Sequence, residues 1–193
     1  MTELYLVRHG ETEWSRDGRH TSTTDLPLTE RGREQAALLN GQLDPTGFEL
    51  IIASPRLRAQ ETARLAGFTG TTEPVVEPDL VEWDYGDYEG KTTEDIRRDL
   101  EPGWDLWRDG CPGGESPDQV TQRLTRVVDR IRHSGVDTAI AFAHGHALRA
   151  LTLTWLGIEL ARGNQFPLHT ATISVLGWEK GEPAVLRWNA PVA

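Results

Sequence analysis

The stretch Leu4-Tyr5-Leu6-Val7-Arg8-His9-Gly10-Glu11-Thr12 decides the fold class. Four apolar residues in a row read as a strand buried on both faces, the kind that builds a parallel sheet. The strand runs without a spacer into Arg, His and Gly. In open α/β sheets ligands sit just beyond the carboxyl ends of the strands, so a basic pair there marks an anion site. His9 is read as a nucleophile toward phosphorus, with Arg8 its first electrostatic partner.

The same grammar recurs downstream. Trp14 to Leu28 is a polar loop over the strand end, and Thr29 caps a helix with Ala36, Leu39 and Leu43 at helical spacing. Phe48 to Ala53 is a second buried strand. Ser54-Pro55 then reads as cap and first helical position of a helix to about Ala66. Pro74 to Val76 is a third short strand, and Leu80-Val81-Glu82 an apolar run ending in a carboxylate. Ser116-Pro117-Asp118-Gln119 is a capping box opening a helix with Val120, Leu124, Val127, Val128 and Ile131 on one face, stopped by Gly135. Thr138 to Ala143 is a strand ending in His144-Gly145-His146, followed by a helix to Gly157. Thr172 to Trp178 and Ala184 to Trp188 alternate and join as a hairpin. Between these elements, residues 84–115 carry Tyr85, Tyr88, Trp104 and Trp107 without long periodicity. They are expected to form a cap over the strand ends, with a short helix near Thr93 to Leu100. The whole implies one domain over 1–193, a three-layer α/β/α sandwich around a mostly parallel sheet.

Bulk properties narrow the function classes. Twenty basic against thirty acidic residues give a net charge of −10, which argues against nucleic-acid or anionic-membrane partners but not against a small phosphorylated substrate. A single cysteine, Cys111, excludes an internal disulfide and fits a reducing cytoplasm. No apolar run approaches a membrane span, and no basic-then-apolar signal opens the chain. The hairpin edge near the C-terminus offers a surface for a homodimer.

Arg8, His9, Arg58 and His144 all fall just past strand ends or near helix starts, where free N–H groups and the helix dipole favour an anion, and they can converge on one phosphoryl group. Gly10 is expected to let the chain turn tightly beneath it. His144 and His146 on one turn, with no third ligand at recognisable spacing, do not make a zinc site, so no metal or cofactor is called for. Arg56 and Arg149 read as structural ion pairs, Trp104 and Trp107 as pocket walls, Trp155, Trp178 and Trp188 as core, and Cys111 as structural. His146 reads as a pocket-wall residue or as support one layer behind the wall, and His20 as pocket rim or exposed loop.

In order, "LVRHGETEW", "SPRLRAQETA" and "HGHALRAL" resemble the histidine phosphatase superfamily, which includes cofactor-dependent phosphoglycerate mutase. "GRHTSTTDLPLT", "EWDYGDYEG" and "CPGGES" resemble, more narrowly, its actinobacterial acid phosphatases and the yeast sedoheptulose-bisphosphatase. The resemblance implies that His9 forms a phosphohistidine while Arg8, Arg58 and His144 hold the phosphoryl oxygens. It makes Glu82 the general acid, which must start protonated, as burial beside Trp83 and Tyr85 would favour, giving an acidic to neutral optimum. Ser15, Thr21, Ser22 and Gly145 would border the substrate. Mutases of the family carry Asn at position 15, Gly at position 22 and a longer insertion, so the resemblance favours hydrolysis. The expected activity is a phosphomonoesterase of small metabolites. Its rivals are a dedicated sugar-bisphosphate phosphatase, a mutase, and, from another class, a silent phospho-ligand binding module.

Overall fold

β1 (Glu3–Arg8) lies inside a six-stranded sheet in the computed structural model, which describes residues 1–192. On one side β1 pairs in parallel with β4 (Thr138–Ala143), and on the other it pairs antiparallel with β5 (Ile173–Glu179). β2 (Leu50–Ala53) continues the parallel part beside β4, with the two-residue β3 (Val75–Val76) at that edge. β6 (Glu182–Ala190) closes the other edge antiparallel to β5, giving the order β3-β2-β4-β1-β5-β6. The register sets the site. Arg8 stands opposite Ala143, and Ala53 opposite Phe142. The ladder extends by one bond at each neighbour, His9 N–H to the Ala143 carbonyl (3.0 Å) and Ser54 N–H to that of Phe142 (2.9 Å). Three strands therefore end in one layer, delivering His9, Ser54 and His144 to the same edge.

Alternation along the strands feeds two apolar layers. Val7, Ala53, Ile140, Phe142 and Val175 belong to a cluster with Leu39, Ala63 and Phe68, beneath α2 (Glu30–Leu38) and α3 (Leu57–Leu65). Leu4, Leu6, Ile52, Ala139, Ala141 and Leu176 belong to the opposite cluster, which contains the buried faces of α6 (Pro117–Arg132) and α7 (Gly145–Leu156). The expected caps are present: Thr29 Oγ1 accepts from Gly32 N–H at 3.0 Å, and Ser116 and Gln119 exchange reciprocal bonds. Gly157 ends α7 in the left-handed conformation, and Lys180-Gly181 turns the hairpin at φ +52° and +89°. Trp155 is fully buried, with Trp178 and Trp188 half-buried against the same layer. Three short helices, α1 (Glu13–Arg16), α4 (Thr93–Asp99) and α5 (Leu106–Asp109), complete the chain.

Two local readings need correction. Ser54 does not cap α3. The helix starts at Leu57 with Arg56 as its cap residue, while the Ser54 hydroxyl binds His144 (2.7 Å) and accepts only a long bond from Arg56 N–H (3.4 Å). Trp104 and Trp107 do not line the main strand-end cavity: they are about 1% and 2% exposed, join the main apolar cluster with Trp83, Tyr85 and Tyr88, and wall only a small neighbouring cavity of about 50 Å³ with His20, Thr93 and His146. The reason is size, since an aromatic side chain of this area contributes on the order of 3 kcal/mol when fully buried. Of residues 84–115, it is Tyr85 and Thr93 that reach the cavity over the strand ends.

Candidate active site

A cavity of about 300 Å³ opens at the carboxyl edge of the sheet, lined by Arg8, His9, Ser15, Thr21, Glu82 and Gly145 together with Gly18, Arg19, His20, Tyr85, Thr93, His146, Arg149 and Leu168. A larger groove, about 470 Å³ along α3 between Pro27 and Phe68, holds none of the strand-end histidines.

His9 is 5% exposed. Its Nδ1 lies 2.7 Å from the Gly10 carbonyl oxygen, which can only accept, so Nδ1 carries the proton and Nε2 keeps a bare lone pair. Burial first, then the Arg58 and Arg8 charges, push the His9 pKa well below the usual imidazole value and keep the ring neutral. His144 is also held neutral well below the usual range, by burial and then Arg58. Its Nδ1 accepts from Arg58 Nε (3.2 Å), so its Nε2–H donates to Ser54 Oγ (2.7 Å). The two imidazoles meet edge to face at 5.3 Å between centroids.

Arg8 donates from Nη1 to the Leu168 carbonyl (2.6 Å), and its Nε has no protein acceptor. Its guanidinium packs closely against Gly145: a Cβ there would stand 3.2 Å from Arg8 Cζ, so a larger residue would have to push the guanidinium aside. Arg58 is fully buried and does not line the cavity. Beyond His144, it donates to the Thr24, Thr21 and Ser22 carbonyls and faces Asp25 at 3.7 Å. Arg58 and His144 thus form the layer behind His9, with Arg8 in front.

Glu82 is buried at the cavity wall and caps α7 from outside it. Its carboxylate accepts from the backbone N–H of Trp83 (2.9 Å), Ala147 (2.8 Å) and His146 (3.1 Å). The Trp83 ring meets Trp107 edge-on and does not line the cavity, whereas Tyr85 lines it together with Glu82. This changes the electrostatic picture. The starts of α7 and α3 offer fewer N–H groups to a ligand than expected, because Glu82 accepts from His146 and Ala147 at one and Asp25 accepts from Leu57 N–H (3.0 Å) at the other. Positive charge in the site comes from guanidinium groups.

The loop residues divide. Ser15 and Thr21 line the cavity, the Ser15 hydroxyl donating to the Thr12 carbonyl and the Thr21 hydroxyl to that of Arg19, both at 3.1 Å. Ser22 does not line it. Its N–H binds the Glu89 carboxylate and its hydroxyl reaches the Glu82 carbonyl (3.4 Å), which buries it behind the wall. Gly10 is needed for close approach rather than for a turn, since its Cβ would stand 2.3 Å from the Gly32 carbonyl oxygen. The Gly10 N–H binds Thr62 Oγ1 (3.0 Å), which fixes the chain after His9.

Several cavity residues were left open or given another role in the sequence reading. His20 is a wall residue, its pKa lowered to about 4 by burial, with its ring 4.6 Å from Tyr85. His146 does line the cavity, its Nδ1 2.7 Å from the Tyr85 hydroxyl, so the two histidines of the HGH turn bind different partners. Among the described residues no three His, Cys, Asp or Glu side chains cluster as a metal site. Arg149 makes no ion pair there and lines the cavity, and Arg56 makes none either. The signal for Arg149 was its place one turn along α7 from Gly145.

Residues 4–191 match the model of the histidine phosphatase superfamily (branch 1). An acid phosphatase of Mycobacterium tuberculosis is 44% identical over 92% of this chain and 87% of the relative. A sedoheptulose 1,7-bisphosphatase of Saccharomyces cerevisiae is 41% identical over 81% of this chain and 68% of the relative. The solved structure of a protein from an open reading frame of Mycobacterium tuberculosis superposes with a TM-score of 0.92 at 40% identity, over 100% of this chain and 99% of that one. Motif order, sheet topology and strand-end residues agree with these matches: the chain belongs to the histidine phosphatase superfamily.

Proposed function

We propose that this chain is a phosphomonoesterase of small phosphorylated metabolites that works through a phosphohistidine on His9. The observation that carries the reading is the Nδ1 bond to the Gly10 carbonyl, which leaves Nε2 bare at the cavity between the charges of Arg8 and Arg58. The Nε2 lone pair attacks phosphorus as the bond to the ester oxygen breaks, and Glu82 supplies the proton to the leaving oxygen. Glu82 then takes a proton from water as its oxygen attacks phosphorus, the P–N bond breaks, and phosphate leaves with the lone pair returned to Nε2. The Nδ1–H bond steadies the charge that appears on the ring. Arg8 faces the phosphoryl oxygens and Arg58 adds its charge from the layer behind, and losing one such cation costs on the order of 10²- to 10³-fold in rate.

A cavity of about 300 Å³ lies at the small end of metabolite sites and supports a small substrate. A cytoplasmic location fits the one buried cysteine, and no helix among the described residues is long and apolar enough to cross a membrane. The open edge of β6 is where a homodimer is expected, and sedimentation tests it.

p-Nitrophenyl phosphate with a chelator present, between pH 4 and 8, tests the reading. Turnover should persist, and His9→Ala should lose at least ~10⁴-fold. No turnover by the unaltered chain would favour a binding module, and loss with chelator would favour a metal-dependent reaction.

A further inference from the structure

Arg58 is a buried cation whose every nitrogen is engaged inside the protein. Nε donates to His144 Nδ1 (3.2 Å), Nη1 to the Thr24 carbonyl (3.1 Å), and Nη2 to the carbonyls of Thr21 (3.1 Å) and Ser22 (3.3 Å). It reaches the site in two ways: by its charge, felt at His9, and by fixing through Nε which His144 nitrogen carries the proton. The strip from Thr21 to Thr24 supplies all three carbonyls, so the strip sets where that charge sits.

The strip has no helix or strand of its own to hold it. At its start His20 N–H donates to the Lys91 carbonyl (2.9 Å) and the His20 carbonyl accepts from Gly90 N–H (2.8 Å); just past its end Asp25 accepts from Leu57 N–H. Between these anchors its N–H groups go to Glu89. Both carboxylate oxygens accept from Ser22 N–H, at 2.9 Å each, and Oε1 also accepts from Thr24 N–H at 3.0 Å. The Thr21 carbonyl and the Ser22 N–H belong to one trans peptide group, where they point to opposite edges. Arg58 therefore holds the oxygen end of that group and Glu89 its hydrogen end. Both charges polarise the peptide in the same sense, and the two bonds strengthen each other. Thr24 likewise turns its carbonyl to Arg58 and its N–H to Glu89. Asp25 faces Arg58 Nη1 directly at 3.7 Å, whereas Glu89 acts on Nη2 through the peptide.

We infer that Glu89 is a positioning residue for the phosphoryl chemistry: by gripping the strip from the side opposite Arg58, it fixes the guanidinium and with it the charge that Arg58 lends to the transition state. This rests on the phosphomonoesterase reading and adds to it a residue that does not line the cavity. Gln in place of Glu89 keeps the size of the side chain but puts an NH2 where a carboxylate oxygen accepts from Ser22, so that one N–H faces another. Asp keeps the charge and falls one methylene short.

The test reads kcat and KM for p-nitrophenyl phosphate, together with Kd for orthophosphate and for vanadate, which mimics the five-coordinate transition state. The unaltered chain should bind vanadate more tightly than phosphate. Glu89→Gln should lower kcat about tenfold or more with KM nearly unchanged, and should weaken vanadate by a similar factor but phosphate hardly at all. Glu89→Asp should recover part of both. In an Arg58→Met background, adding Glu89→Gln should change kcat by no more than about twofold, since no guanidinium is left to position. If Arg58→Met does not fold, the vanadate-to-phosphate ratio of the single variant decides alone. A rise in KM with kcat kept would mean that Glu89 only shapes the wall at Thr21, and would overturn the inference. So would equal weakening of vanadate and phosphate, or effects that multiply in full in the double variant. A chain that hydrolyses nothing, yet shows a vanadate preference that Glu89→Gln removes, refutes the phosphomonoesterase reading and leaves the link from Glu89 to Arg58 standing. No such preference, or one that Glu89→Gln leaves intact, refutes the link.

Discussion

The proposed nucleophile, His9, is held uncharged. Its neighbours on both sides are guanidinium groups, and burial adds to their effect, so its pKa falls well below 6.5. A ring with an ordinary pKa would lose its lone pair progressively below pH 6.5. The expected pH profile of kcat/KM is therefore without an acid limb near 6.5 while the chain remains folded. A fall of one log unit per pH unit beginning near 6.5, on protein shown to be folded by circular dichroism, would show His9 titrating normally. His144 carries the same logic one layer back: with Arg58 on one nitrogen and Ser54 on the other, it is locked as a neutral donor.

At the scale of elements, the segment before Tyr85 matters most, because only a single 3-10 turn at Pro78–Leu80 precedes Glu82 and it does not fix the place of the carboxyl by itself. Arg123 on α6 does this. It pairs with both oxygens of Glu115 (2.7 and 3.0 Å) and donates to the Asp79 and Val81 carbonyls (2.7 and 2.9 Å). Glu115 in turn accepts from Asp84 N–H and Trp83 Nε1–H. Removing one partner of such a nearly buried pair strands the other. Arg123→Met should cost about 3 kcal/mol, which lowers Tm by roughly 6 to 12 °C in a chain of this size, and should lower kcat as Glu82 loses its place. Thermal melting and steady-state kinetics check both; an unchanged Tm would remove the pair from this role. The sequence announced most elements here, since capping boxes and apolar faces are local signals. It misled at Ser54 because Ser-Pro after a strand looks like a helix cap whether or not a histidine 90 residues away takes the hydroxyl. It misled again at the helix starts, because nothing local says that Asp25 and Glu82 will take N–H groups there.

On the scale of the molecule, the strand-end side of the site was legible, because Arg8, His9, Arg58 and His144 follow or adjoin strand ends that one parallel register brings level. The far wall was not. His20, Tyr85, Thr93 and Arg149 come from loops and from the flank of α7, and only the packing of Trp104 and Trp107 beneath them brings them together. That packing has a consequence for stability. His9, His20, His144 and His146 are all neutral in the folded chain below pH 6.5, whereas in the unfolded chain they take up protons near that value. The unfolded state then binds more protons, so stability present above pH 6.5 is lost as pH falls. The loss is up to about 1.4 kcal/mol per pH unit for each ring, continuing for His20 to about pH 4. Tm should drop by roughly 10 °C or more between pH 7.5 and 5.0; a flat profile would mean that these rings accept protons in place.

The most direct measurement is a rapid quench of the reaction with ³²P-labelled substrate, followed by digestion in base and mapping of the label. The phosphoryl group should appear within the first turnover on the peptide containing His9, stable to base and lost in acid. Product released in that turnover with no label on the protein, or label on any other residue, would contradict the account.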